Sequence, residues 1–280
     1  MSGNISRERY EAFAALHEQN EVFVMPNAFD GLSAAVFAEA GFKAVATSSA
    51  AFAATLGRLD GRHAISRDEH IEHARLLGRT SGLPVNGDFE DGYGDTPDDV
   101  AATVKAAITA GLSGIGIEDT SADPGHPIRD FDEAVERVRH AARAARGQIV
   151  LTGRTDNFIQ GRPDLDDTIR RLTAFAEAGA DVLFAPYLPD LEAVAAVVRA
   201  VAPKPVNVLM GWSSGDFTIG DVQQAGARRI SLGVAPYLHS LSALRAAAAK
   251  LAGGELAALP TTMGLELLRE DFPEEGPRSR

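Results

Sequence analysis

The 280-residue sequence contains no cysteine. That excludes disulfides, thiolate metal sites and a cysteine nucleophile, so the chemistry must come from oxygen and nitrogen side chains. It has no apolar run of about eighteen residues or more, which leaves no candidate for a membrane-spanning helix. The opening MSGNISRERYEAF lacks the apolar stretch of an export signal, so the cytoplasm is the expected compartment. Basic residues are outnumbered: 27 Lys and Arg stand against 39 Asp and Glu, a formal charge of −12. A nucleic-acid partner would require a basic face, and none is expected. An anionic small molecule remains compatible with this balance, because a bound divalent cation reverses the local field.

What is present is an alternation. Short β-branched runs at Val22–Met25, Ala44–Thr47, Pro84–Asp88, Gly114–Glu118, Ile149–Arg154, Asp181–Ala185, Pro205–Met210 and Arg229–Leu232 are separated by Ala-rich, helix-periodic segments. Helices are expected near 30–40, 66–80, 97–110, 131–145, 165–178, 190–201, 218–225 and 237–252, with one more at Arg7 to Gln19 ahead of the first strand. Such alternation signals a parallel sheet with crossover helices. The joints repeat as well: AEAGFKAVATS, ITAGLSGIGIED, AEAGADVLFAP and QQAGARRISLG each place a glycine between a helix end and a strand. Glycine there ends the helix in the left-handed conformation. Eight units without a linker predict one (β/α)8 TIM barrel over 1–280, with 255–280 as a C-terminal helical extension. A doubly wound sheet is the alternative, but it offers no reason for eight units.

In such a barrel the C-terminal tips of the strands converge on the active site. The tips read Asn27, Thr47-Ser48-Ser49, Asp88 with Glu90, Glu118-Asp119, Arg154 with Asp156, Ala185-Pro186-Tyr187, Asn207 and Gly233. Strands buried on both faces should be apolar, so polar tips point to function. In GDFEDGYG, Asp88 and Glu90 lie two apart and hence on one face. With Glu118 from the next strand they form an all-oxygen set suited to Mg2+ or Mn2+.

The segments AGFKAVATSSAA, LGRLDG, GDFEDGYG, GIGIEDT, LTGRTDN and KPVNVLM, in this order over about Val22 to Leu251, resemble the isocitrate lyase/phosphoenolpyruvate mutase superfamily, in its phosphonomutase-like branch. The resemblance implies that Ser48, Ser49 and Ala50 form the strand-2 turn that holds a substrate carboxylate. It implies Asp60 as an acid beside the metal, Asp88 as the principal metal ligand, and Glu90 and Glu118 as further acids there. Arg154 would grip the substrate's 2-oxo or enolate oxygen, and Asn207 would contact the distal carboxylate. The implied chemistry is stabilisation of a pyruvate-like enolate by Mg2+ and Arg154. Exchange of the last barrel helix between subunits, in a homodimer or homotetramer, is implied too.

The sequence departs from that family in the loop after strand 4. The loop reads EDTSADPGHPIRDFDE, without the lyases' Lys-(Lys/Arg)-Cys-Gly-His or the mutases' Lys-x-Asn-Ser. Decarboxylation of an oxaloacetate-like acid needs an electron sink but no such loop acid, and it leads over retro-aldol cleavage. Phosphonopyruvate-type P–C chemistry and a non-catalytic 2-oxo acid binder are the other readings. His126 is the loop's titratable candidate for a catalytic role, a solvated histidine being the other reading. Asp123, His126 and Arg129 are the charges that would close over a ligand if the loop is a lid.

Several signals are set aside. GWSSG (211–215) matches a nucleophile elbow, but His239 is the sole histidine after it, and a turn lining the barrel mouth is preferred. His70 and His73 fall one helical turn apart; their neighbours Asp68, Glu69 and Glu72 suggest a solvated helix face rather than a metal pair. Asp91 and Asp95 read as caps of the helix starting near Thr96, and Asp98-Asp99 and Asp166-Asp167 as first-turn acids. A short amphipathic helix is expected near Thr262–Glu270.

Overall fold

The computed structural model describes residues 2–61, 63–211 and 217–255. Most of GWSSG and the expected helix near Thr262–Glu270 lie outside the described residues. In chain order the elements are α1 Ser2–Glu18, β1 Phe23–Met25, α2 Gly31–Glu39, β2 Val45–Ala46, α3 Ser49–Thr55, α4 Arg67–Ser81, β3 Val85–Asp88, α5 Pro97–Thr109 and β4 Gly114–Glu118. They continue with α6 Phe131–Ala145, β5 Val150–Arg154, α7 Leu165–Ala178, β6 Val182–Phe184, α8 Leu191–Val201, β7 Val206–Leu209, α9 Ile219–Gln224, β8 Arg229–Ser231 and α10 Ala235–Ala252.

All eight strands pair in parallel, in the order β1-β8-β7-β6-β5-β4-β3-β2. The ring closes through a parallel bridge between Asn27 and Ala46, with Ala28 N donating to Ala46 O at 2.8 Å. Asn27 also fastens this seam: its amide donates to Thr47 O at 2.6 Å, and its Oδ1 accepts from Leu232 N and Gly233 N at 2.9 and 2.8 Å. The expected (β/α)8 barrel is therefore what the chain forms.

Local chemistry sets the element ends. Capping boxes start α2 (Asp30, Ser33), α4 (Ser66, Glu69), α5 (Thr96, Asp99) and α9 (Thr218, Asp221). The four glycines of the repeated joints, Gly41, Gly111, Gly179 and Gly226, all have positive φ, between 83° and 112°. A side chain in that conformation is strained, which is why the joint keeps glycine. Helix α1 plugs the N-terminal end of the barrel: Phe13, fully buried, packs with Met25, Ala46, Val150 and Val182. A Cβ at Gly114 would stand 2.6 Å from the Phe13 ring, so this plug requires a glycine there.

Helix α3 is absent from the sequence-based expectation. SAAFAAT is short and follows its strand directly, so only the Ser48 cap, accepting from Ala51 N at 3.2 Å, marks its start. The eighth barrel helix also stands out: α10 buries none of its residues, and Leu238, Leu241 and Leu244 are 40–64% exposed.

Candidate active site

The β4–β5 register places Glu118 directly opposite Arg154, and strand β3 ends with Asp88 on the other side of β4. Parallel pairing thus brings three charged tips together at one end of the barrel. Arg154 Nη1 lies 3.0 Å from Asp88 Oδ1 and 3.1 Å from Glu118 Oε2. Asp156, two residues on and therefore on the same side of the chain, grips the rest of the guanidinium: Nε reaches its Oδ1 at 2.5 Å and Nη2 its Oδ2 at 2.8 Å. A bidentate carboxylate fixes a guanidinium plane, so Asp156 aims Arg154 at the mouth. Burial opposes the Arg154 charge, but Asp156, Glu118 and Asp88 together raise its pKa above the ordinary value.

Asp88 is held from the other side by Ser49, whose N–H and hydroxyl donate to Oδ2 at 3.1 and 3.2 Å. The Ser49 N–H, expected to meet a substrate carboxylate, thus binds Asp88. Asp60 borders the same cavity; partial burial first, then the charge of Asp88, raises its pKa. Glu90 adopts a left-handed backbone (φ 46°), and its carboxylate accepts from His63 N at 3.1 Å and Tyr93 Oη at 3.4 Å. Burial, with Asp60 and Asp88 nearby, pushes its pKa up to about 7. Glu118 is raised well above the usual carboxylate range, chiefly by burial.

Two cavities of about 400 and 390 Å3 meet here, sharing Ser49, Asp60, Arg154 and Ile159. The first runs down the barrel past Ser48, Ala50, Asp88, Asn207 and Arg229. The second is lined by Glu90, Glu118, Asp156 and the loop residues Thr120–Pro124. Ser48, Ser49, Ala50, Asp60, Asp88, Arg154 and Asn207 are therefore brought together, whereas Glu90 turns into the second cavity. Asn207 has both ends of its amide engaged, by Ser231 Oγ at 2.9 Å and Arg229 Nε at 2.8 Å.

Among the described residues no three Asp, Glu or His side chains close on one point as the ligands of a formed metal centre. The donor chemistry nevertheless fits a hard divalent cation. Five carboxylates (Asp60, Asp88, Glu90, Glu118, Asp156) line the two cavities that share Arg154, and four of them have raised pKa values. Buried like charges of this kind are relieved by a cation.

The loop between β4 and α6 is pinned at its base and exposed at its tip. Thr120 and Ile128 form an antiparallel bridge, and Arg129 N donates to Asp119 O at 2.9 Å. Arg129 is not free to close over a ligand: its Nη2 pairs with buried Asp91 at 2.7 Å and its Nε donates to Thr120 O. His126 lies at the tip, its side chain 87% exposed and paired with Asp123 Oδ2 at 3.3 Å.

Two further expectations are corrected. Asp91 is not a helix cap; Thr96 takes that place, and Asp91, 2% exposed, binds His63 Nε2 and Arg129 Nη2, each at 2.7 Å. Burial works against its charge, but these two partners hold its pKa below normal. His70 and His73 are not on a solvated face either; they are 0% and 6% exposed. With Ala74 and Leu77 they form an i, i+3, i+4, i+7 stripe that turns inward while Asp68, Glu69 and Glu72 face out. That stripe was the available signal. His73 stacks on Phe52 at 3.9 Å and bonds Phe29 O at 3.1 Å, so the two imidazoles have separate employments.

His70 supports the site from behind. Asp88 N–H donates to Thr47 Oγ1 (2.8 Å), which contacts His70 Nε2 (2.9 Å); His70 Nδ1 contacts Tyr93 Oη (3.1 Å), which donates to Glu90. With the Tyr93 proton directed to Glu90, Tyr93 Oη accepts from Nδ1, which carries the His70 proton, and Thr47 donates to Nε2. Burial lowers the His70 pKa to about 3, and the ring stays neutral. Replacing it with asparagine removes this chain and the stacking on Phe89, a loss of about 3 kcal/mol at pH 7.5 by chemical denaturation. The folded pKa lies below the unfolded value, so the wild type loses stability as pH falls through 6.5 while the variant lacks this proton uptake. The gap between them should narrow by about 1.4 kcal/mol per pH unit below 6.5; a gap that widens would refute the neutral buried ring.

Barrel topology and a mouth that gathers acids around one arginine define the chain as a (β/α)8-barrel enzyme. It belongs to the phosphoenolpyruvate phosphomutase family, whose profile matches residues 13–252, and through it to the isocitrate lyase/PEP mutase superfamily. A solved structure from Burkholderia cenocepacia J2315, provisionally described as a lyase/mutase, is 40% identical, with a TM-score of 0.88 over 95% of this chain and 96% of that one. A 2,3-dimethylmalate lyase structure is 26% identical, with a TM-score of 0.85 over 94% and 95%. Oxaloacetate decarboxylase 2 of Pseudomonas fluorescens (strain Pf0-1) is 28% identical over 259 residues, covering 88% of this chain and 86% of its own length. The superfamily's members are carbon–carbon lyases and mutases.

Proposed function

We propose that the protein is a lyase acting on a small 2-oxo carboxylate through a pyruvate-like enolate, assisted by Mg2+ or Mn2+, with decarboxylation of an oxaloacetate-like acid ahead of retro-aldol cleavage. The observation that carries this reading is Arg154, locked by Asp156 and presented between Asp88 and Glu118 at the meeting point of two cavities. Asp88 and Glu118 would hold the cation, with Asp60 and Glu90 behind them, and it would supply Lewis-acid polarisation of the 2-oxo group.

The chain's own residues account for the rest. Ser48 to Ala50 wall the cavity where the carboxylate next to the 2-oxo carbon would lie. When the bond from C3 to the departing carboxylate breaks, CO2 leaves, the electron pair of that bond forms the C2–C3 double bond, and the carbonyl π pair moves onto the 2-oxo oxygen. Arg154 is already fixed toward that oxygen, so its charge meets the developing anion without reorganisation. The proton that completes the product comes from water at the open mouth. The lyases' cysteine loop and the mutases' lysine loop are both missing, which favours a reaction without a dedicated loop acid.

An NMR time course with Mg2+ and a panel of oxaloacetate, 2-methylisocitrate and phosphonopyruvate tests this, with Asp88→Asn at equal metal as control. Turnover of oxaloacetate that is lost in the variant supports the proposal; turnover of 2-methylisocitrate alone would assign retro-aldol cleavage, and turnover of phosphonopyruvate alone would assign P–C chemistry.

The bare helix α10 supports an assembly in which it covers a neighbouring barrel, in a dimer or tetramer of cytoplasmic protein. Replacing Leu238, Leu241 and Leu244 by glutamine should reduce the mass measured by light scattering to that of one chain. An unchanged mass would place the contact elsewhere.

A further inference from the structure

Arg229, at the start of β8, is 2% exposed and borders the inner part of the first cavity. Its three hydrogen-bond partners are all neutral. Nε donates to Asn207 Oδ1 at 2.8 Å and Nη2 to Thr152 Oγ1 at 3.0 Å. Nη1 contacts His17 Nε2 at 3.2 Å. His17 Nδ1 donates to Phe13 O at 2.9 Å, which leaves Nε2 as the acceptor, and burial lowers the pKa of this ring to about 3. No Asp or Glu among the described residues pairs with Arg229, and burial alone lowers its pKa to about 9. A buried guanidinium without a counter-charge is costly, yet neutral ligands here orient it without neutralising it. It carries five N–H groups, of which three are used, so among the described residues each terminal nitrogen keeps one N–H without an acceptor.

We propose that Arg229 is the receptor for a second anionic group of the substrate, which makes the preferred substrate a dianion with its far carboxylate or phosphonate at the inner end of the cavity. This rests on the enolate reading for the near end, where Arg154 and Ser48 to Ala50 stand. The charge of Arg154 is offset by Asp88, Glu118 and Asp156, although Nη2 keeps an N–H for the substrate, whereas Arg229 meets only neutral partners, so the two arginines divide the work. Arg154 faces the reacting oxygen. Arg229 selects for length and for charge at the far end, and Asn207, bonded to its Nε, sets its plane.

The test measures binding to the wild type, Arg229→Met and Arg229→Lys by calorimetry with Mg2+. The probes are oxalate, which mimics only the near end, pyruvate, 3,3-difluorooxaloacetate and phosphonopyruvate. The wild type should bind at least one longer dianion about tenfold or more tighter than pyruvate, as a charge-assisted pair at a buried site warrants. Arg229→Met should lose that preference with oxalate affinity unchanged, and Arg229→Lys should keep part of it. Whichever longer probe shows the preference names the far group as carboxylate or phosphonate. Retention of the full preference in Arg229→Met overturns the inference and leaves the enolate reading standing. If oxalate fails to bind the wild type, the enolate reading falls, and the metal-free rise in unfolding temperature with malonate or phosphonoacetate decides the rest. A rise in the wild type that Arg229→Met lacks keeps the anion receptor; no rise in either removes it. Removing an uncompensated buried charge should leave the unfolding temperature of Arg229→Met at or above that of the wild type without ligand, so loss of binding there is not loss of fold.

Discussion

Arg154→Met should abolish turnover of the 2-oxo acid substrate, lowering kcat/KM by about a thousandfold or more, the range lost when a preorganised donor to a developing oxyanion is removed. The same change leaves Asp156, 3% exposed, without the two bonds it accepts from Arg154. Stranding one partner of a buried pair costs about 3–5 kcal/mol, so chemical denaturation should show a loss of that order. Arg154→Lys separates the two effects. It restores a charge near Asp156 but not the planar fork that meets Asp156, Asp88 and Glu118 at once. Partial recovery of stability with no recovery of activity is the expected pattern. An active lysine variant would mean that a point charge suffices and that the Asp156 clamp is incidental.

Asp88→Asn should act in the opposite proportion. The amide can keep the contact to the Ser49 hydroxyl while removing the negative charge between Ser49 and Arg154. Relief of one charge in a crowded acidic cluster costs little stability, so the unfolding temperature should stay close to that of the wild type. Activity should fall about a hundredfold or more, since each factor of ten corresponds to about 1.4 kcal/mol of lost transition-state stabilisation. The Mg2+ concentration for half-maximal activity should rise as well, because asparagine is a weaker ligand for a hard cation. Equal metal dependence in the two proteins would remove Asp88 from the metal-binding set.

Much of the fold was legible in the sequence because the signals were local and repeated. The Ala-Gly joints, whose glycines all adopt positive φ, are one such signal. The capping pairs Ser66/Glu69 and Thr96/Asp99 are another. The tips Asp88, Glu118 and Arg154 were legible because strand direction alone sends them to one rim, and the parallel register then sets Glu118 against Arg154. What was not legible depends on contacts between distant segments. Asp91 sits beside an apparent cap site, yet its partners Arg129 and Arg137 come from the loop after β4 and from α6. His70 and His73 were hidden by acidic neighbours, although their own spacing marked the inward stripe. Arg229 looks like a basic residue at a strand start; only the closed barrel shows it beside His17 and Thr152, 212 and 77 residues away.

Enolate formation at this site can be tested without knowing the natural substrate. The measurement is exchange of the pyruvate methyl protons in D2O with Mg2+, followed by 1H NMR, because exchange requires the enolate to form. If the enolate forms at this site, the wild type accelerates loss of the methyl signal, and Asp88→Asn and Arg154→Met, at the same metal concentration, do not. A methyl signal that persists equally in all three proteins would contradict it.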